Sequence, residues 1–135
     1  INFRQKEFNI RGKVIHGRKK GRELGFPTAN ILANPDLLEK GVYGVTLNYK
    51  EEIFFGLMNV GIKPTFNSLE KTIEVHILDF SGEIYGEFVE CQPLFRIRGE
   101  QKFDSIEQLK HQIEEDIKFA QKRFNLKKDK RKTIH

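Results

Sequence analysis

From residue 41 onward the chain is a succession of strand-like runs parted by turns short enough for hairpins: 42–49, 53–60, 72–80 and 84–95 or beyond. The separators include Lys50-Glu51-Glu52 and Ser81-Gly82. Runs joined so closely pair antiparallel, because a parallel neighbour needs a crossover of a dozen residues or more. Upstream, Phe8, Ile10, Gly12 and Val14 alternate with polar positions and read as a first strand, in which Gly12 would admit a second backbone or a nucleotide base at close range. Five or six strands of this length close most economically into a small barrel. Asn34-Pro35-Asp36 opens a turn, with a single helical turn over 36–40 closed by Gly41.

After Phe103 the period changes. Ile106, Leu109, Ile113, Ile117, Ala120 and Phe124 recur at helical spacing among Glu, Gln, Lys and Asp. Asp104 or Ser105 is the N-cap, completed by Glu107 or Gln108 in a capping box. This predicts a helix of about five turns that packs its stripe on the barrel. Residues 1–7 read as a linker remnant, 8–125 as the domain and 126–135 as a basic, solvated tail.

A chain of 135 residues suits one domain with a core of its own. No apolar run reaches membrane-spanning length. The single Cys91 rules out an internal disulfide and a cysteine-built zinc site, and suits a reducing cytoplasm. His16, His76, His111 and His135 lack metal-ligand spacing. There is no Gly-x-Ser-x-Gly elbow and no Gly-x-Gly-x-x-Gly after a strand. The net charge of +5 favours an anionic partner without naming one. Part of it sits in the tail, where no aromatic is available to stack a base.

The rest of the cationic signal is concentrated in one loop. Glycines recur at 17, 21 and 25 among Arg18, Lys19, Lys20 and Arg22. Glycine permits positive φ and close backbone approach, and successive amides in such turns make an anion-binding concavity. A mobile charged hairpin fits the same composition. Residues 12–19 approach a P-loop superficially, but Walker A needs Gly-Lys followed by Ser or Thr and then a helix. Pro27 fixes its own φ and keeps Phe26 out of the α region, so Thr28 and Asn30 fall on an extended segment facing one side. Their hydroxyl and amide oxygens suit a hard Mg²⁺ carried in by a nucleotide, or equally the local backbone groups of a strand start. Glu74 and His76 share one face of a strand whose other face carries Ile73, Val75 and Ile77. Pattern alone favours an exposed polar pair there, although a carboxylate so placed can also act as a general base.

The run Gly21-Arg22-Glu23-Leu24-Gly25-Phe26-Pro27-Thr28-Ala29-Asn30 resembles the signature of the riboflavin kinase family. The likeness continues, in the family's order, through 41–44, 59–66, 73–80 and 98–103, and so covers roughly residues 8–125. The resemblance implies a closed six-stranded antiparallel Greek-key barrel with a long C-terminal helix. It also implies transfer of phosphate from MgATP to riboflavin, giving FMN. On that likeness Glu74 is the catalytic base, and Thr28 and Asn30 hold Mg²⁺. Gly12, Val14, Gly17, Lys19, Gly21, Arg22, Gly25, Phe26, Pro27, Thr28 and Asn59 form the ATP site. Glu74, Arg98, Glu100 and Phe103 serve the flavin, with the Pro64-Thr65-Phe66 turn framing one of the two sites. Lys63 stands where bacterial members commonly carry Arg, and Gly44 where Ala is frequent. In bacteria this kinase is usually the C-terminal half of a bifunctional protein with an upstream FMN adenylyltransferase. The start at Ile1 suits such an origin, and no His-x-Gly-His motif is present to carry the second reaction. The rival class is a basic barrel binding single-stranded nucleic acid, for which net charge and the 12 Phe speak. Against it, the cationic residues cluster in one loop and the tail instead of alternating with aromatics along strands.

Overall fold

A computed structural model describes residues 9–15, 24–64 and 66–134. Six strands are formed: β1 Ile10–Ile15, β2 Ala29–Leu32, β3 Gly41–Tyr49, β4 Glu52–Pro64, β5 Leu69–Ile77 and β6 Phe88–Arg98. They close into a barrel in the order β1-β2-β5-β4-β3-β6 with every neighbouring pair antiparallel. Strands β3, β4 and β5 follow one another as neighbours while β6 returns beside β3, which is a Greek key. Contacts divide the chain into two units, residues 1–100 and 101–135, the first holding the barrel.

Side-chain alternation explains the closure. Ile10 and Val14 on β1, Ile31 on β2, Tyr43, Val45 and Leu47 on β3, Met58 and Val60 on β4, Ile73, Val75 and Ile77 on β5, and Val89 and Cys91 on β6 all point inward to one buried cluster. Gly12 lies on the same inner face. A methyl there would stand 2.8 Å from Ile31 Cγ2 and closer still to the Leu32 carbonyl oxygen, so the bare glycine lets β2 cross tightly over β1. The approaching group is therefore backbone, one of the two options the sequence leaves open.

The β3–β4 hairpin turns on Lys50 and Glu51, at φ 51° and 69°. Positive φ at both central residues is the type I′ geometry that matches strand twist. The connection from β5 to β6 departs from expectation. Ser81-Gly82 reads as a hairpin turn, yet β5 pairs with β4 and β2 while β6 pairs with β3 and β1. Residues 78–87 instead make a crossover, begun by Asp79 at φ 55° and anchored by Ile84, which is buried in the core. Turn chemistry fixes local direction and leaves the choice of pairing partner to the core.

Asn34 caps a 3₁₀ turn at Pro35–Leu37 by accepting from the Asp36 N–H at 3.0 Å, so the expected helical turn starts one residue earlier and is shorter. The next residues are fastened by three strands. Lys71 Nζ donates to the Leu38 carbonyl at 2.8 Å, Tyr43 Oη to that of Glu39 at 2.7 Å, and Arg96 Nη2 to that of Lys40 at 3.0 Å. Leu38 itself joins the core.

The second unit holds the helix α1, Ile106–Ile134. Ser105 Oγ accepts from the Gln108 N–H at 3.2 Å, and Gln108 Oε1 accepts from the Asp104 N–H at 3.1 Å. Ser105 is thus the cap, and the return bond of the expected capping box reaches the N–H of the residue before the cap, Asp104, and not that of Ser105. The helix has 29 residues, well beyond the five turns expected, because the following Leu, Lys and Arg residues are good helix formers with no Gly or Pro to stop them. Ile106 is exposed, and the sheltered stripe includes Asp116, whose Oδ1 accepts from Gln112 at 2.9 Å.

Candidate active site

Residues whose neighbours fill the core point outward, and on three adjacent strands the outward positions fall into one row. Asn30 of β2 and Asn59 of β4 are each in direct register with Glu74 of β5. Directly opposed residues of antiparallel strands have Cβ atoms about 4.5–5.5 Å apart. Two amides thus flank one carboxylate on the barrel's outer face. Asn30 and Glu74 are half-buried and Asn59 is exposed.

Thr28 precedes β2 on the same outward phase as Asn30 and is exposed. The segment leading to it turns at Gly25, whose φ of 89° is open to glycine at little cost. It is then gripped by His76, two residues beyond Glu74 on the outer face of β5. The imidazole Nδ1 lies 2.8 Å from the Pro27 carbonyl oxygen, and the Phe26 ring meets the imidazole edge-on, with centroids 5.9 Å apart and an interplanar angle of 89°.

Next to this row opens a cavity of about 690 Å³ lined by Glu39, Lys40, Ile62, Lys71, Arg96 and Glu100. Lys71 and Arg96 hold their charges fixed at its wall through the carbonyl contacts to Leu38 and Lys40. Glu100 pairs with Lys40 at 3.4 Å. Burial pushes the Tyr43 phenol above its ordinary value, with the Arg96 guanidinium opposing, so the phenol stays a donor to Glu39. Gly61 joins cavity and row: a methyl on it would stand 3.5 Å from the Asn59 amide nitrogen and 3.9 Å from Glu100 Oε1.

The site residues expected from sequence therefore fall into five sets. Thr28, Asn30, Asn59 and Glu74 share the outer face of β2, β5 and β4, with Phe26 and Pro27 tied to it and Glu100 beside it. Arg98 is half-buried at the end of β6 and opposite Val42, with its Nη1 donating to the Gly99 carbonyl at 3.2 Å. Gly12 and Val14 face the core, and both backbone groups of Val14 are paired, its N–H with Glu87 at 2.8 Å and its carbonyl with Gly86 at 2.9 Å. Phe103 belongs to the second unit. Gly17, Lys19, Gly21 and Arg22, together with Thr65 and the linker 1–7, lie outside the described residues.

Among the described residues no three His, Cys, Asp or Glu gather in a way that could hold a metal. The oxygens of Thr28, Asn30 and Glu74 are hard donors of the kind Mg²⁺ prefers, and too few to complete a shell without phosphate oxygens and water. That set fits a metal that arrives with a nucleotide. Sequence reasoning assigned no role to Lys71, Tyr43 or Arg96. Nothing in the sequence singles them out, since their common target is backbone.

A closed six-stranded Greek-key barrel with a carboxylate between two amides on its outer face, beside a cavity lined by charged side chains, defines a small mainly β domain. The chain belongs to the riboflavin kinase (flavokinase) family, whose profile it matches over residues 4–124. It is 50% identical over 118 residues to an RNA-binding riboflavin kinase, RibR, of Bacillus subtilis, covering 87% of this chain and 51% of that protein. It is 48% identical over 126 residues to a bifunctional riboflavin kinase/FMN adenylyltransferase of Haemophilus influenzae, covering 92% of this chain and 41% of that one. The chain thus spans about half or less of the length of these relatives. Among solved structures it resembles one described as a macrolide-efflux protein from Streptococcus pneumoniae, with TM-score 0.76, 36% identity, and 87% of this chain and 39% of that chain covered. It also resembles riboflavin kinase from Trypanosoma brucei, with TM-score 0.63, 26% identity and coverage of 89% and 81%.

Proposed function

We propose that this domain transfers the γ-phosphate of ATP to the terminal 5′-hydroxyl of the riboflavin ribityl chain, giving FMN and ADP. The observation that carries the reading is the register that sets Asn30 and Asn59 on either side of Glu74, with Glu100 and its cavity alongside. In this reading the Glu74 carboxylate accepts the hydroxyl proton as the oxygen attacks phosphorus, and the bond to the ADP oxygen breaks in line. General-base help of this kind is worth roughly 10²- to 10⁴-fold. Thr28 and Asn30 hold Mg²⁺, which neutralises phosphate charge when bound. Asn59 steadies the nucleotide or ribityl chain, and the cavity by Glu100 takes the flavin, with Arg98 assigned to the same ligand. The glycine loop at 17–25 cradles the phosphates through Lys19 and Arg22. Phosphoryl transfer asks mainly for positioning and charge neutralisation, which an outer barrel face with such groups can supply.

The test is turnover of riboflavin with MgATP, with and without EDTA, followed as FMN. Folded protein that forms no FMN refutes the assignment. Glu74→Gln should lose at least about a hundredfold in kcat while keeping MgATP affinity. The bifunctional relatives make an FMN adenylyltransferase segment in the parent protein, and a cytoplasmic setting, part of the same proposal. This chain alone should stop at FMN. A second reading, RNA binding, is favoured by the name of the Bacillus subtilis relative and by the net charge of +5. It requires oligonucleotide affinity that falls steeply with salt.

A further inference from the structure

We propose that His76 is a positioning residue for the nucleotide half of the site: it clamps the Phe26-Pro27 segment and thereby sets where the Thr28 hydroxyl stands relative to Glu74. The proposal deepens the kinase reading and rests on it. β2 begins only at Ala29, so Thr28 lies before the strand that the barrel holds in place. Pro27 has no N–H, and its carbonyl is the one backbone polar group by which the residue can be held. That oxygen lies 2.8 Å from His76 Nδ1. A carbonyl only accepts, so Nδ1 carries the proton and donates, which fixes the tautomer of the neutral ring. The Phe26 ring packs edge-on against the same imidazole at 5.9 Å between centroids, giving two grips on consecutive residues just ahead of Thr28.

The clamp and the base share one rigid element. His76 and Glu74 are two residues apart on β5, which is paired on both sides, to β2 and to β4. A shift of β5 therefore carries the carboxylate and the Thr28 segment together, and their spacing is held by one strand. His76 on this account touches neither substrate nor metal and acts through Thr28.

The experiment compares wild type with His76→Ala, His76→Asn and His76→Gln. It measures MgADP affinity by calorimetry, riboflavin affinity by flavin fluorescence, the KM and kcat for each substrate, and thermal stability. Asn places an amide N–H where Nδ1 stands, whereas Gln places it near Nε2. The expected result is an MgADP affinity about tenfold weaker in the Ala and Gln variants, the upper end of the effect of losing one hydrogen bond. KM for MgATP should rise in parallel, riboflavin affinity should stay within about twofold, and Asn should restore most of the MgADP loss. Unchanged MgADP affinity in His76→Ala overturns the proposal. So does an equal weakening of both ligands that follows loss of stability and that Asn fails to rescue. Should the Ala variant fail to fold, the contrast between Asn and Gln decides alone, and equal behaviour of the two is again refuting. A wild type that binds neither MgADP nor riboflavin removes the kinase reading itself and this proposal with it.

Discussion

Replacing Gly12 by Ala tests the tightest approach in the barrel. The new methyl would lie 2.8 Å from Ile31 Cγ2 and 3.0 Å from the Leu32 carbonyl carbon, against the roughly 3.5–4.0 Å at which carbon atoms rest. One of these partners is backbone, so no rotamer change relieves the clash, and β2 must retreat from β1 by a sizeable fraction of an ångström. Overpacking of this kind costs about 1–3 kcal/mol, of which alanine's lower backbone entropy cost returns about 0.5–1 kcal/mol. Taking the middle of each range, a net loss on the order of 1–2 kcal/mol remains. With an unfolding entropy of about 2.1 cal/mol/K per residue over 135 residues, the melting temperature should fall by about 4–7 °C. Because β2 carries Asn30, its retreat also moves one amide away from Glu74, and kcat should drop together with stability. Thermal and urea unfolding followed by circular dichroism, with the urea m-value unchanged, measure the first effect, and FMN formation the second. A Gly12→Ala protein that melts within 1 °C of wild type, on the order of the error expected for a neutral change, would refute the crossing of β2 over β1.

Gly61→Ala is the counterpart, since its methyl meets nothing closer than 3.5 Å: stability should hold within about 0.5 kcal/mol, while riboflavin KM rises as the methyl crowds Asn59 and Glu100. Asn30→Ala should raise the Mg²⁺ concentration for half-maximal turnover on the order of tenfold, one ~1.4 kcal/mol contact, and leave the melting temperature nearly unchanged because the side chain lies outside the core. Burial pushes the Cys91 thiol from 9.0 up to about 12, so a thiol reagent at pH 8 should label the protein only after denaturation. The folded-state value is the higher one, so this contribution to stability is complete below pH 9 and is lost as pH climbs towards 12, with Tyr43 acting in the same sense. Unfolding free energies between those limits should decline less steeply in Cys91→Ala.

What the sequence made legible was whatever obeys a short period. The alternation of Ile73, Val75 and Ile77 against Glu74 and His76 is observed as inner and outer faces of β5, and with it the barrel and the outward-facing carboxylate. Pro27 made Thr28 and Asn30 readable as an extended pair on one side. What it hid was long-range choice. The run 84–87 reads as strand but serves the crossover, because Ile84 satisfies the core without entering a ladder. β4 continues through Gly61 to Pro64, residues that discourage a strand assignment, because β5 pairs with it all the way to Leu69. The approach of Glu100 to Gly61 spans about forty residues and depends on barrel closure, to which no local pattern refers.

The placement of Glu74 between two inward-facing residues, Ile73 and Val75, ties chemistry to folding in a way that protects the molecule from a silent error. Sliding β5 by one position against β2 and β4 would turn the carboxylate into the apolar interior and expose two large aliphatic side chains. Misregistered molecules would thus forfeit cohesion and competence at once, and no well-folded impostor lacking the reactive face could accumulate.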